Sequence, residues 1–177
     1  ASGWGFEFTF RLAAPAGETE PPQWPLSLLE NMANYVYTSG NAFAPGHYMP
    51  LNGPISLDAQ TKIQAALFAL DPVLGTIQTP NGALDFLQLV GATMDELAAA
   101  RAWKTDSFLQ VMKRTNPLLI TDLARDTILA DPHTAAAIAE GTARDGSSSG
   151  SSYTDTFSFT LRKRLLRSPQ TVITVGA

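Results

Sequence analysis

The chain has 177 residues, of which 45% are hydrophobic and 16% are charged, and its formal net charge is −4. A chain of this length suits one domain, which buries roughly 70% of the surface that its unfolded form exposes. The acidic balance argues against nucleic-acid binding, which usually shows as a basic excess. The chain has no cysteine, which excludes disulfides and thiolate metal sites and fits a reducing compartment such as the cytoplasm.

The first segment has a strand pattern. Over residues 4–12, apolar side chains alternate with glycine or polar ones, and this period of two predicts a β-strand with one face against a core. We expect the row of large side chains to belong to that core and not to a binding surface. The row consists of Trp4, Phe6, Phe8, Phe10 and Leu12.

A helix is predicted over residues 25–38, after a proline-rich loop at 13–23. Pro25 can occupy the first turn, where its missing N–H costs no hydrogen bond. Gly40 suits the position after the last helical turn. Between them, apolar side chains recur at helical spacing: Leu28, Leu29, Met32, Tyr35 and Val36.

Residues 40–58 are rich in Gly, Pro and Asn and predict a long irregular connection. We expect it to be ordered, because it also carries several large side chains, and long ordered loops are often functional. These side chains are Phe43, His47, Tyr48, Met49 and Leu51.

The middle of the chain alternates between strand and helix signals. Residues 62–70 suit either a strand or a short helix, and turns are expected at 71–72 and 79–82. Residues 83–90 are mostly apolar on both faces, which is typical of a central strand covered on both sides.

Two helices and a strand are predicted next. Thr93 and Glu96 form a capping box, which predicts a helix over 93–103, and a second helix is expected at 105–114. Residues 118–122 read as a short buried strand, and Pro132 can begin a further helix.

The C-terminal part combines a linker composition with two strand patterns. Residues 145–152 are rich in Ser and Gly and predict a flexible loop. Strands are predicted at 153–161 and 171–175. The whole is interpreted as a single α/β (α+β) domain over residues 1–177, in which a mixed sheet carries helices packed against it.

The sequence contains no recognisable catalytic or metal-binding motif. Its two histidines, His47 and His133, have no ligands at short spacing, so neither a metal nor another cofactor is expected. His133 suits a capping or solvent-exposed role at a helix start. Asp122 could be a functional acid at a strand end, although a turn or cap role is the simpler interpretation. No apolar run approaches the ~20 residues of a membrane span.

Several blocks of the chain resemble the Suppressor of fused family. Residues 5–12, G-F-E-F-T-F-R-L, are similar to that family's G-F-E-L-T-F-R-L strand. Residues 21–25, P-P-Q-W-P, followed by Tyr35-Val36, are similar to its P-P-x-W-P helix that ends in Y-V. Further matches follow in order at 79–80 (T-P), 86–88 (F-L-Q), 119–122 (L-I-T-D), 131–133 (D-P-H) and 145–147 (D-G-S).

The resemblance implies a mixed α/β domain that binds another protein. The larger, two-domain animal members restrain zinc-finger transcription factors, and a short peptide of the factor adds as an extended strand between the two domains. Single-domain bacterial members have been proposed as immunity proteins that neutralise toxins. We expect a chain of this length to lack a second domain and so to resemble the bacterial type, which makes a toxin a candidate partner.

Comparison with the family pattern also shows departures. Tyr35 matches the tyrosine of the animal peptide site, but His47 and Leu70 stand where that site has acids. Family members also have a segment before the first strand, which this sequence is expected to lack. The resemblance therefore supports Tyr35 as a contact residue more than it supports the animal ligand.

The sequence thus predicts a cytoplasmic, non-catalytic domain that binds a protein or an extended peptide, with no nucleic-acid or membrane partner. The predicted binding residues are Tyr35, Phe43, His47, Tyr48 and Met49. An alternative is that these side chains only hold the loop against the core. Other functional alternatives are a small hydrolase that uses carboxylates such as Asp122, or a scaffold domain of a longer chain.

Overall fold

The computed structural model describes residues 3–14, 17 and 20–146, together with the backbone of 156–164 and 167–176. Strands and helices alternate without a strict βαβ rhythm. In chain order they are β1 (Phe6–Phe10), α1 (Trp24–Ser39), β2 (Tyr48–Pro50), β3 (Ile63–Leu70), β4 (Thr76–Thr79), β5 (Gly82–Thr93), α2 (Met94–Ala102), α3 (Thr105–Met112), a 3-10 turn (Ile128–Ala130), α4 (Pro132–Asp145), β6 (Thr156–Arg164) and β7 (Arg167–Gly176).

The first five strands form one mixed sheet. Its order is β1-β5-β3-β2, and β4 pairs with the beginning of β5. β1 runs parallel to β5, whereas the other pairs are antiparallel. The predicted mixed α/β (α+β) architecture is therefore confirmed. Residues 83–90 lie in the central strand β5, as their apolar pattern predicts.

Strand β3 resolves the ambiguous segment 62–70 and separates two hydrophobic clusters. Its alternating side chains enter opposite layers: Ala65 and Leu67 pack with α2, α3 and α4, while Ala66 and Phe68 face β1 and α1. Because both faces are covered, the strand is apolar except at Gln64 and carries no period-two signal. This double burial explains why periodicity alone could not distinguish a strand from a helix.

The core role predicted for the first strand holds for its phenylalanines but is wrong for Trp4. Phe6, Phe8 and Phe10 pack against the cluster under α1, whereas Trp4 is 51% exposed. The strand begins only at Phe6 because Gly3 and Gly5 have φ values of 52° and 80°. Such left-handed residues interrupt the extended alternation before it reaches Trp4.

Helix α1 begins and ends close to the predicted bounds. Met32 and Val36 are buried, and Gly40 ends the helix with φ of 74° while its N–H donates to the Val36 carbonyl at 2.9 Å. Glycine adopts this left-handed conformation without strain, as the prediction assumed. No helix in the described part of the chain is long and apolar enough to cross a bilayer.

The predicted capping box forms at the start of α2. The Glu96 carboxylate accepts a hydrogen bond from the Thr93 N–H at 2.9 Å. Glu96 is fully buried and also forms an ion pair with Arg125 at 2.5 Å, which ties the segment before α4 to the sheet. The same carboxylate therefore both caps a helix and anchors a distant loop.

Residues 118–122 do not form the predicted strand. The only pairing here, within the described residues, is an isolated parallel bridge between Leu12 and Thr121. Leu119 has a φ of 53°, and the Asn116 side chain hydrogen-bonds both the N–H and the carbonyl of Ile120. This closed turn buries the apolar side chain of Leu119 without extending the backbone. A run of buried apolar residues in the sequence therefore does not by itself indicate a strand.

The two predicted C-terminal strands form, but they are not part of the mixed sheet to which they were assigned. β6 and β7 pair antiparallel with each other as a separate two-stranded sheet and do not join the mixed sheet. A pattern of alternation predicts an extended conformation but carries no information on the pairing partner. In the predicted Ser/Gly loop, Asp145 is the last residue of α4, and residues 147–152 lie outside the described part.

Candidate functional site

The predicted irregular segment 40–58 contains the short strand β2, which lies at one end of the mixed sheet. Among the strands that the structure describes, β2 pairs only with β3. The His47 carbonyl accepts from the Phe68 N–H at 2.9 Å, and the Leu51 N–H donates to the Gln64 carbonyl at 2.9 Å. Because antiparallel pairing alternates, Met49 lies at a position that bonds to β3, whereas Tyr48 and Pro50 face away from it. In the turn before the strand, the Gly46 N–H also donates to β3, to the Phe68 carbonyl at 2.8 Å.

This alternation leaves one residue with both backbone groups directed outward. The N–H and C=O of Tyr48 point away from β3, as does the carbonyl of Pro50. Pro50 has no N–H, so its position at the sheet edge costs no ladder bond. The strand can therefore accept a further extended segment, but only over a short register centred on Tyr48.

An aromatic groove adjoins this open edge. Tyr35, Phe43, His47 and Tyr48 line a cavity of about 510 Å³. The ring of Phe43 stacks on that of Phe68 with centroids 4.2 Å apart, and it lies 5.6 Å from the ring of Tyr35. Four of the five predicted binding residues thus come together in space, although α1, the connection after it and β2 supply them.

The fifth predicted residue, Met49, faces elsewhere. Its side chain is half-buried against the cluster under α1. Because successive side chains of a strand point to opposite faces, Met49 and Tyr48 cannot both face the same layer. Met49 therefore contributes to packing, which corrects its predicted place in the surface.

The aromatic rings of the groove differ in how much of each is exposed to solvent. Tyr35 and Tyr48 are 40% and 42% exposed, whereas Phe43 is half-buried on Phe68. The Tyr48 ring also lies below the guanidinium of Arg101, whose Cζ is 5.6 Å from the ring centroid. This cation–π contact favours the position of the ring beside the edge only modestly, because it occurs at an exposed site.

Two charged residues at the edge were missed by sequence reasoning. Arg101 lies at the end of α2 and Asp106 in the first turn of α3. The Asp106 carboxylate lies close to Gly46, immediately before β2. No linear motif connects these positions, and only the packing of α2 and α3 against the sheet brings them to the groove.

The carboxylates of the described residues have structural partners where they are buried. Asp122, the candidate functional acid, is exposed and accepts a hydrogen bond from the Ala124 N–H at 2.9 Å, which is the turn role. Asp71 is buried and pairs with Arg11. Within the described ranges, no group of three or more metal-ligating side chains comes together. His133 is exposed in α4, which is capped by Asp131 instead.

Comparison with known proteins identifies the family. The family model described as Suppressor of fused protein (SUFU) matches residues 1–126. The chain belongs to the Suppressor of fused family. The resemblance found in the sequence motifs is thereby confirmed.

Named relatives of this family match most of the chain. It is 38% identical over 152 residues to the Suppressor of fused homologs of Homo sapiens and Mus musculus, which covers 82% of this chain and 31% of each relative. The chain therefore spans about a third of the length of these curated relatives.

Solved structures of the family share the fold. The crystal structure of Drosophila Suppressor of Fused matches with a TM-score of 0.74 and 30% identity over 94% of this chain and 41% of that chain. A structure of the Sufu-Fu complex matches with a TM-score of 0.70 and 31% identity over 77% of this chain and 63% of that chain.

Proposed function

We propose that this domain is a non-catalytic, cytoplasmic protein-binding module that accepts an extended segment of its partner along the edge of β2. The observation that carries the proposal is the outward N–H and C=O of Tyr48 beside a groove lined by Tyr35 and Phe43. In strand addition, main-chain hydrogen bonds provide affinity and side-chain pockets provide specificity. Both components are present at this edge.

The family supports a protein partner. A Sufu-Fu complex is a protein–protein complex of a relative with the same fold, and Tyr35 matches the tyrosine with which the family's animal members contact a peptide. Aromatic side chains are also enriched at the centres of interfaces. We infer that Tyr35 and Tyr48 are the anchors, since both are partly exposed and flank the groove.

The test uses a display library of random peptides selected on the purified domain. We expect Tyr35→Ala and Tyr48→Ala to weaken the selected peptides by about 1 kcal/mol or more, as interface anchors do. The melting temperature should stay nearly unchanged. Tyr37→Ala is the matched control, because Tyr37 lies on the same helix, is 81% exposed and does not line the groove.

The competing interpretation is that the groove side chains only hold the loop against the core. It predicts the opposite result: both alanine variants would lose stability and keep their peptide affinity per folded molecule. If no selected peptide depends on Tyr48, the proposed edge is not the binding surface.

The resemblance to single-domain bacterial members extends the proposal to a toxin as the partner. An immunity protein would restore growth to cells that express its toxin. Co-expression with a toxin encoded by a neighbouring gene tests this point. Rescue by the wild type but not by Tyr48→Ala would support it. Equal rescue by both would show that immunity does not depend on the β2 edge.

A further inference from the structure

A carboxylate from α3 lies beside the residue that precedes β2. The Asp106 Oδ2 and Oδ1 atoms lie 2.9 and 3.1 Å from the position that a Cβ on Gly46 would occupy. Gly46 has a φ of 85°, a left-handed conformation that favours glycine. The missing side chain at position 46 therefore makes the room into which the carboxylate projects.

Asp106 is available to a partner. It is exposed, and its carboxylate accepts no hydrogen bond and forms no ion pair within the described part of the chain. It lies in the first turn of α3, so the packing of this helix places a carboxylate next to the open edge.

The charge and the open backbone groups lie close together. Gly46 lies in the turn before β2, and its N–H donates to the Phe68 carbonyl at 2.8 Å, which holds this turn at the end of β3 two residues before Tyr48. An extended segment that pairs with Tyr48 and continues past the start of β2 would bring one of its side chains alongside Gly46. A Lys or Arg there can reach the Asp106 carboxylate and form a charge-assisted hydrogen bond.

We propose that the β2 edge selects extended segments that carry Lys or Arg where they continue past Tyr48 toward Gly46, and that Asp106 binds the cationic group. This inference rests on the proposed function, because it specifies which segments the same edge accepts. It makes Asp106 the specificity-determining residue of the site.

The experiment selects the random-peptide library separately on wild type, Asp106→Lys, Asp106→Asn and Asp58→Lys. Wild type should enrich Lys or Arg at one position, and Asp106→Lys should enrich Asp or Glu at that same position. The wild-type peptides should bind both Asp106 variants roughly 3- to 10-fold more weakly. Asp58→Lys makes the same charge change at an exposed residue outside the groove, and it should leave selection and affinity unchanged.

The outcomes separate this inference from the proposed function. Peptides that depend on Tyr48 but show the same charge preference on wild type and Asp106→Lys would overturn the role of Asp106 alone. A library without any Tyr48-dependent peptide would overturn the proposed edge and this inference with it. Thermal melts of the variants show whether weaker peptide binding comes from unfolding. Asp106→Asn removes the charge without placing a cation at the start of a helix.

Discussion

Asp71 is a buried carboxylate at the centre of a polar network on the sheet. Arg11 binds both of its oxygens at 2.7 and 2.9 Å, and the Thr9 hydroxyl donates to it at 2.8 Å. Burial by itself would raise the pKa of Asp71, but the hydrogen bonds from Arg11, from the backbone N–H groups of Leu74 and Val73 and from Thr9 outweigh it. The pKa of this carboxyl therefore lies well below its ordinary value.

Because the folded-state pKa is lowered, the ionised pair stabilises the fold above the unfolded pKa of about 3.9 and loses that contribution as the pH falls below it. We expect Asp71→Asn to lower the free energy of unfolding by about 3 kcal/mol at neutral pH, since it leaves Arg11 without its charge partner. The difference from wild type should shrink below about pH 4. Urea unfolding across pH measures both effects.

Asp122→Asn is the control for this variant, because the Asp122 side chain is exposed and accepts only from the Ala124 N–H. It should change the free energy of unfolding by less than about 1 kcal/mol at every pH. A constant difference between Asp71→Asn and wild type down to pH 2 would contradict the lowered pKa.

The contact between α4 and the end of α2 depends on a single glycine. Gly141 is buried, and a Cβ there would stand 2.7 Å from Cε2 of Trp103, which is itself 5% exposed. The indole also donates from Nε1 to the Asp145 carboxylate at 2.9 Å. The indole is therefore held from two points of α4 and has little freedom to move aside.

Gly141→Ala tests this close approach by the sign of its effect. In an open helix position the change would stabilise the helix by up to about 1 kcal/mol. Here we expect a loss of about 1–3 kcal/mol from overpacking, measured by chemical denaturation. Gly53→Ala, where a Cβ meets nothing within 4 Å, should be close to neutral. A stabilised Gly141→Ala variant would show that the helix moves away at little cost.

On the scale of the whole molecule, one sheet joins two hydrophobic layers. β3 contributes Leu67 to the layer under α2, α3 and α4 and Phe68 to the layer under α1. A loss of packing in one layer should therefore weaken both. Phe8 lies in the α1 layer with ring centroids 5.1 Å from Phe6, 5.9 Å from Phe43 and 6.2 Å from Phe68.

We expect Phe8→Ala to cost about 3 kcal/mol, the lower part of the range for phenylalanine, because its ring is only partly buried. Fluorine NMR of protein labelled with 5-fluorotryptophan reports on Trp103 in the opposite layer, and its unfolding midpoint should fall together with that of Trp24. Trp4→Ala, at a half-exposed side chain, should cost less than about 1 kcal/mol. Separate midpoints for the two layers would contradict a single cooperative unit.

Local rules of the chain predict the elements whose causes are local. The capping box at Thr93 and the left-handed end at Gly40 depend only on residues within a few positions, and both form as the sequence indicates. Similarly, the central strand β5 could be predicted, because its mostly apolar residues indicate burial on both faces. The family is likewise evident from ordered motifs along the chain.

The features that the sequence could not specify depend on partners that are distant along the chain. Leu119 is apolar and buried whether its backbone is extended or, as here, left-handed, so its pattern imitates a strand. Alternation at 153–161 predicted an extended segment but not that, within the described part of the chain, β6 would pair with β7 and not with the mixed sheet. Similarly, the pattern of segment 40–58 could not show that Met49 faces the core while Tyr48 faces the edge, because pairing with β3 sets that parity.

The sequence by itself therefore determined the fold class, the family and the aromatic side chains that line the groove, since these follow from composition, local capping and ordered motifs. Only the tertiary structure decided which of them share one surface and which charge stands beside it. Helix packing brings Asp106 against Gly46 from another part of the chain. Charges act through space and not along the sequence, so the electrostatic character of the edge appears only once the chain is folded.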